Sequence, residues 1–463
     1  MKRALFALLV ALLFTALLSG CTGNNDFPVA DSGTAISEGS SEVMDGGTAN
    51  TKEQVIHLLT DLGHNAMRAH GTYDQFNAQY VMDQFLENMG ELPEGYRLEV
   101  EVMPVEEAEF QSRLTRLRTE IMSGQGPDIY VLSSADMAPI YHQERVFPNT
   151  QKAMEDGFFL PLDDYMENAQ FMKIDDMNPT VMAAGCTPEG RFVLPMRYTF
   201  GAVRTTEPVT DTGEGWFEVI NGTDEVLASS YAAAAYWNLH YIFEETVDTE
   251  SKTLTFSEEE LYNAVVMALK WYGTNESRFP KQETILQLQI DGSSRSLYGW
   301  DPEWKDIATY IPLRNREGGV TATVTGYIAI SRNTSYPDEA FHVVDIMMSK
   351  KFQNGQKFWT TINYDGYVSS TAVFSWSRGV SVYDDFLRES TPMNYEGYIN
   401  DQMYPTYCEL RDKITNARIM NDIDQTLLDM YYQAWRNSMT PGDELKKYVK
   451  QEYNKMVLMA GEL

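Results

Sequence analysis

Cysteine is almost missing from this chain, with three among 463 residues: Cys21, Cys186 and Cys408. So few exclude a disulfide framework and any Cys-x-x-Cys zinc site, and leave open whether Cys186 and Cys408 pair in an oxidising compartment or stay as thiols. Histidine is scarce too, six in all. His57, His64 and His70 stand seven and six residues apart, which builds no compact helical metal site. Basic residues are outnumbered, 36 against 67 acids, for a net charge of −31. That surface argues against nucleic acid and against adsorption to anionic lipid. There is no Gly-x-Ser-x-Gly elbow, no His-Glu-x-x-His helix and no phosphate-binding loop of the Walker type. No catalytic residue, metal or cofactor is assigned.

A long apolar run is absent as well. Ala4 to Leu18 is apolar for only about 15 residues, short of the roughly 20 that span a bilayer. With Lys2 and Arg3 before it and Leu18-Ser19-Gly20-Cys21 after it, this stretch reads as an export signal, residues 1–20, with a lipoprotein cleavage site. Lipidation of Cys21 would tether the mature chain to the outer face of a bacterial cell membrane. Residues 21–50, rich in Gly, Ser, Thr, Asp and Asn, read as a disordered tether. The remaining chain is long enough for two cores.

The body is organised around Gly124 to Leu132, Gly-Gln-Gly-Pro-Asp-Ile-Tyr-Val-Leu. The glycines and proline stop a helix, Asp128 caps or orders the turn, and an apolar strand comes next. Upstream, Lys52–Leu62 is ambiguous between strand and helix. Tyr73–Met89 has helical spacing, and Tyr96–Val105 alternates with Leu98, Val100 and Val102 on one face. Glu106–Met122 is a second helix. Strand, helix and strand at these lengths predict α/β units with a largely parallel sheet.

Downstream, Ala138–Tyr141 and Met177–Ala184 read as helices. Arg191–Pro195 and Phe200–Val203 form an interrupted extended run. Trp216–Ile220, Ser229–Phe243, Ser257–Tyr272 and Thr284–Gln289 read as helices, with Ser257 and Glu260 forming a capping box. Ser296–Trp300, Ile307–Pro312 and Val320–Ile330 read as extended. Pro337–Met348, Ile419–Trp435 and Pro441–Leu458 are again helical.

Taken together these motifs carry a resemblance. The lipobox and tether, Gly124 to Ile129, Phe159-Leu160-Pro161-Leu162-Asp163-Asp164, Gly190 to Pro195, and Ser331 followed by Pro337 to Phe341 occur in one order. In that order the chain, over about residues 51–460, resembles the extracellular solute-binding lipoproteins of ATP-driven importers, in the group that includes maltose-binding protein. The resemblance implies an α/β fold of the periplasmic-binding-protein type, two lobes joined by crossing hinge strands with a ligand cleft between them. Residues 51–195 and 328–370 would form lobe one, and 200–325 and 371–463 lobe two.

It also implies a function: a monomeric, non-enzymatic, lipid-anchored substrate-binding subunit that delivers a small molecule, best a carbohydrate or oligosaccharide, to an ABC permease. The alternative is a surface glycan-binding or sensory lipoprotein uncoupled from any transporter. Trp300, beside Gly299 where the family often has proline, is the first candidate for stacking on a ligand. Arg197 and Tyr198 on the first hinge and Tyr327 on the second are candidates for polar contacts. Trp359, Tyr364 and Trp376 form a second aromatic group, and Asp136 follows the central strand. Each could instead pack within a lobe or, for Arg197, neutralise an acidic neighbour.

Overall fold

The computed structural model describes residues 53–62, 75–104, 106–134, 144–205, 208–272, 285–290, 309–353, 357–359, 367–369, 379–383 and 404–463. Lys52–Leu463 is one compact unit. Its frame is a nine-stranded sheet. In chain order the strands are β1 (Gln54–Thr60), β2 (Tyr96–Val102), β3 (Ile129–Ser133), β4 (Val193–Thr205), β5 (Ile285–Ile290), β6 (Thr309–Pro312), β7 (Thr321–Ile330), β8 (Val380–Ser381) and β9 (Asn416–Ile419). The main path runs β6-β4-β7-β3-β1-β2, with β5 and β8 also on β4 and β9 on β7. Around it lie α1 (Gln75–Met89), α2 (Glu107–Met122), α3 (Thr150–Glu155), α4 (Pro179–Ala183), α5 (Glu225–Asn238), α6 (Glu258–Tyr272), α7 (Pro337–Met347), α8 (Asp422–Arg436) and α9 (Asp443–Gly461).

The ambiguous opening segment is a strand, pairing in parallel with β2 and β3. Leu98, Val100 and Val102 are buried, as their alternation requires. The turn before β3 is as its composition demands. Gly124 has φ of +74°, a region that disfavours side chains with a Cβ. Asp128 orders the entry to β3: its Oδ2 accepts from the His57 N–H at 2.8 Å and its Oδ1 from the Thr334 hydroxyl at 2.6 Å. One carboxylate thus fastens β1 and the exit of β7 to the start of β3.

The chain passes between two cores within β4 and returns between Leu313 and Val320, just before β7. β4 is continuous over 13 residues, correcting the interrupted run expected from Pro195 and its polar neighbours. The sheet absorbs them with register shifts between Val324, Gly326 and Tyr327, where β7 faces β4. One hydrophobic cluster extends from Ile56 to Ala202 and takes in the buried residues of Val320–Phe352, Val380–Tyr383 and Tyr407–Ile419. The other begins at Val203, runs to Leu313 and resumes at Ile423. Consecutive residues of β4, Ala202 and Val203, therefore belong to different cores, and these are the two lobes. Core membership changes again at Ile423 near the end of the chain.

Two further expectations are corrected. Within the stretch 284–289 expected as helix, the described residues from Ile285 on form strand β5, paired antiparallel to β4. Leu286, Leu288 and Ile290 alternate with Gln287 and Gln289, and that period of two prevails in a segment too short for a stable helix. Asn416–Ile419 is the parallel strand β9 on β7, so the helix expected from Ile419 starts at Asp422. The expected capping box on α6 is present, with the Ser257 hydroxyl accepting from the Glu260 N–H at 3.2 Å and the Glu260 carboxylate from the Ser257 N–H at 2.8 Å. Ala138–Tyr141 and Ser296–Trp300 lie outside the described residues. Among the described residues no helix is long and apolar enough to cross a membrane.

Candidate functional site

The site begins with how β7 is edged. β4 occupies one side of β7 from Ala322 to Ala329. The other side is shared. β3 runs antiparallel to β7 and ends with Ser133 opposite Gly326; β9 runs parallel and ends with Ile419 opposite Val324. The carboxyl ends of β3 and β9 thus approach head-on, separated by Thr325, and the chain enters the second core just after β9, at Ile423. Open α/β sheets bind ligands just outside such strand ends, where the order of strands switches.

Ser134 sits in the gap, donating its N–H to the Thr325 carbonyl at 3.1 Å and its hydroxyl to the Val324 carbonyl. Beside it, at the end of β1, Asp61 accepts from the Ser133 N–H at 2.6 Å and from its hydroxyl at 3.1 Å. Asp61 is half-buried as a residue. Desolvation of its carboxyl pushes the pKa up to about 7, against the Ser133 hydrogen bonds and the attraction of Arg145. A carboxyl poised there can donate or accept at neutral pH.

From the second lobe comes the start of α8. Asn421 caps it, its side-chain oxygen accepting from the Ile423 and Asp424 N–H groups at 2.8 and 3.2 Å, while Asp424 accepts from the Asn421 N–H at 2.9 Å. Asp422 in the first turn reaches the first lobe. It accepts from the Arg145 guanidinium at 2.7 Å, and its N–H donates to the Pro148 carbonyl at 3.1 Å. Burial raises the Asp422 carboxyl above its ordinary range, while Arg145 and Arg118 pull it down. Arg118 in turn donates to the Arg145 carbonyl at 2.6 Å and to Glu144 at 3.0 Å. The Thr249 hydroxyl of the second lobe donates to Glu155 of the first at 2.8 Å. Residues 144–156 therefore bridge to α8 and to the 247–254 hairpin.

The hinge candidates lie in the crossing strands, with protein partners for their polar ends. Tyr198 is fully buried and its hydroxyl is 3.1 Å from that of Tyr407. The Tyr327 hydroxyl, also buried, accepts from Thr150 at 3.1 Å. Arg197 is buried and donates to the Gln353 carbonyl at 2.7 Å. Burial pulls its guanidinium down to about 9, still cationic at neutral pH. Gly379 lies over this crossing with φ of +155°, and a Cβ there would meet Thr325 Oγ1 at 2.7 Å and the Tyr198 carbonyl at 2.9 Å. The backbone of Trp359 pairs with Tyr367 in a hairpin. Trp300, Tyr364, Trp376, Asp136 and Cys21 lie outside the described residues.

The structure brings together residues that were not singled out: Asp61, Arg145 and Asp422. Only Asp422 had a local signal, the Asn-Asp-x-Asp pattern of a capped helix start. Among the described residues no group of three or more His, Cys, Asp or Glu is placed to hold a metal ion. Cys186 and Cys408 are both free thiols.

No protein-family model matches the chain, and no curated protein does. Solved structures do. An extracellular solute-binding protein family 1 member from Alicyclobacillus acidocaldarius aligns with a TM-score of 0.51 at 13% identity, covering 88% of this chain and 98% of its own. A de novo designed cysteine esterase, ECH19, aligns with a TM-score of 0.52 at 13% identity, covering 89% of this chain and 99% of its own. The chain thus has the two-lobed fold of extracellular solute-binding proteins. The second neighbour illustrates that such a fold can be given other chemistry, so function must be argued from the site.

Proposed function

We propose that this protein captures a carbohydrate or oligosaccharide between its lobes and is the lipid-anchored substrate-binding subunit of an ABC importer. The observation that carries the reading is the head-on meeting of β3 and β9 along β7, with groups from both lobes already bridged across it. Ligand contacts made by both lobes favour closure by differential affinity, and a closed form is something a permease can distinguish from an open one. Aromatic residues are plentiful, 27 tyrosines and eight tryptophans. Trp300, with Trp359, Tyr364 and Trp376, supplies the stacking faces in this reading, and Asp136 a polar contact. Arg197, Tyr198 and Tyr327 act from the hinge. The lipobox at Cys21 holds the protein, as a monomer, at the outer face of the membrane beside its permease. No chemistry is done on the cargo.

A thermal-shift screen of residues 52–463 against sugars, oligosaccharides, peptides and polyols tests this. A cargo sugar raises Tm with concentration because it binds the folded state, and is recovered unchanged. Once a binding sugar is in hand, Trp300→Ala weakens it by about 1–3 kcal/mol, as loss of a buried aromatic anchor does. Titration calorimetry on folded protein decides: an unaltered affinity removes Trp300 from the site, and silence across the sugars removes the carbohydrate.

A further inference from the structure

The last helix of the second lobe departs from the charge of the rest of the chain. α9 turns Leu445, Val449, Met456 and Ala460 into the second core, against α6 and α8. From residue 446 to residue 458 its exposed positions are Lys446, Lys447, Lys450 and Lys455, two amides, and the aliphatic pair Val457 and Leu458. No acid is among them, in a chain with 67 acids against 36 bases. The acids of this segment lie elsewhere: Asp443 and Glu444 in the first turn, half-buried Glu452 on a flank and Glu462 past the end. Of the four lysines only Lys455 joins an ion pair among the described residues, 3.9 Å from Glu452.

Helical spacing arranges these groups in order along one face. Lys446, Lys450 and Val457 fall within about 40° of one another around the axis, and Lys447 and Leu458 within about 20°. The lysines come first and the aliphatic pair follows about 16 Å further along. Val457 and Leu458 are 43% and 69% exposed, two of the three large hydrophobic side chains left exposed among the described residues. Acids of neighbouring elements stay off this face. Burial, with Glu452 and Asp429 on one flank and Glu258 and Glu260 on the other, raises the hydroxyls of Tyr448 and Tyr453. Those hydroxyls donate to the Met430 and Phe256 carbonyls at 3.4 and 3.3 Å, so the acids beside them border the packed side of α9.

Long basic side chains beside aliphatic ones on a convex helix face fit a surface that is both anionic and yielding. A bilayer moulds itself to such a face, meeting ammonium groups with phosphates and aliphatic groups with acyl chains. The acidity of the whole chain opposes adsorption, but at physiological salt charges more than about 8 Å from the contact are largely screened. We propose that the exposed face of α9 docks on an anionic phospholipid bilayer, with Lys446, Lys447 and Lys450 at the headgroups and Val457 and Leu458 in the interface. The contact holds the second lobe against the membrane. It is weak by itself and suits a tethered body, for which the local concentration is on the order of millimolar. It goes beyond the cargo reading, and neither the sugar nor the Cys21 anchor has to be right for it to hold.

Vesicle flotation tests this with the compact unit Lys52–Leu463, which contains both cores and leaves out the apolar run Ala4 to Leu18. The vesicles are phosphatidylcholine alone, or phosphatidylcholine and phosphatidylglycerol in equal parts. The protein is expected to float with the second and not with the first, and high salt should release it. Each lysine at an anionic surface strengthens partitioning about fivefold, so Lys446→Gln/Lys447→Gln/Lys450→Gln should weaken it about 100-fold. Lys173→Gln/Arg332→Gln/Lys351→Gln has the same net charge, with its changes at exposed positions of the first lobe, and should bind as the wild type does. Leu458→Gln should weaken partitioning about threefold to tenfold. All seven positions are exposed, so each variant should keep the wild-type Tm. The proposal is overturned if phosphatidylcholine alone binds equally well, if the first-lobe variant loses as much as the α9 variant, or if neither vesicle binds, which would leave the face to an acidic protein instead.

Discussion

Two acids at the start of α8, two residues apart, each hold an arginine, and they do so in opposite settings. Asp424 is wholly buried against Arg418 inside the second lobe, with side-chain exposures of 0% and 4%. Asp422 meets Arg145 of the first lobe with 33% of its side chain still in solvent. Burial works to raise the Asp424 carboxyl, but the Arg418 guanidinium and the Asn421 N–H hold it below the ordinary range. Asp422 is moved the other way. A buried pair is costly to break, because one partner is left as an uncompensated charge. A pair with a foot in water can part and be rehydrated. The same residue types thus serve as an internal brace at one position and a separable bridge between lobes two residues earlier.

Breaking the brace has the largest expected effect. Asp424→Ala leaves Arg418 buried without its counter-ion and should cost about 3–5 kcal/mol of folding stability. Urea unfolding should show a lower midpoint with an unchanged slope; a loss below about 1 kcal/mol would mean the pair is no more of a brace than its exposed neighbour.

His240 sharpens the contrast. It lies tilted against Tyr241 with ring centroids 4.0 Å apart, its ring nitrogens have no partner among the described residues, and burial drives its pKa down to about 3. The native state therefore keeps the ring neutral, whereas the unfolded chain protonates it below about 6.5. Its contribution to stability is full above that pH and is lost as pH falls toward 3, about 2 kcal/mol of it by pH 5. Stability measured against pH should lose this limb in His240→Asn, and a limb that persists would assign the acid sensitivity elsewhere.

Much of the frame could be read from residues alone, because its signals are local. The Gly124 turn, the alternation of β2, the periodicity of α1 and α2 and the Ser257 cap are each set within a few neighbours. The misread segments are those decided from a distance. β5 is a strand because β4 offers it an edge, and β9 because β7 has a free stretch below the end of β3. Asp61 has no signature beyond following an apolar strand, and Arg145 meets Asp422 across 277 residues. A pair that far apart is visible only once the lobes are placed.

The strand-end acid tests the watery side of the comparison. Asp61, with its carboxyl raised to about 7, binds more protons in the folded state than unfolded. Its effect on stability is absent at low pH and turns unfavourable as pH rises from about 4 to 7. Asp61→Asn should therefore gain on the wild type across that window and hold a constant offset above it. An offset independent of pH would return Asp61 to an ordinary exposed carboxylate.

The bridge itself should matter least to folding and most to shape. Arg145→Gln removes a charge whose partner can turn to water, so global stability should fall by no more than about 1 kcal/mol. The contacts it supports are between lobes, however, and in its absence the Pro148–Asp422 and Thr249–Glu155 hydrogen bonds are left to hold residues 144–156 against the second lobe. A ligand-free variant should spend more of its time open, seen as a larger radius of gyration in X-ray scattering, and bind cargo more weakly because closure is then driven by the ligand alone. High salt should reproduce part of that change in the wild type, since Asp422 is accessible to screening, and should leave the Arg418–Asp424 brace unmoved. If Arg145→Gln destabilises the fold as severely as Asp424→Ala, the two pairs are equivalent and the bridge is a fixed strut rather than a part that opens.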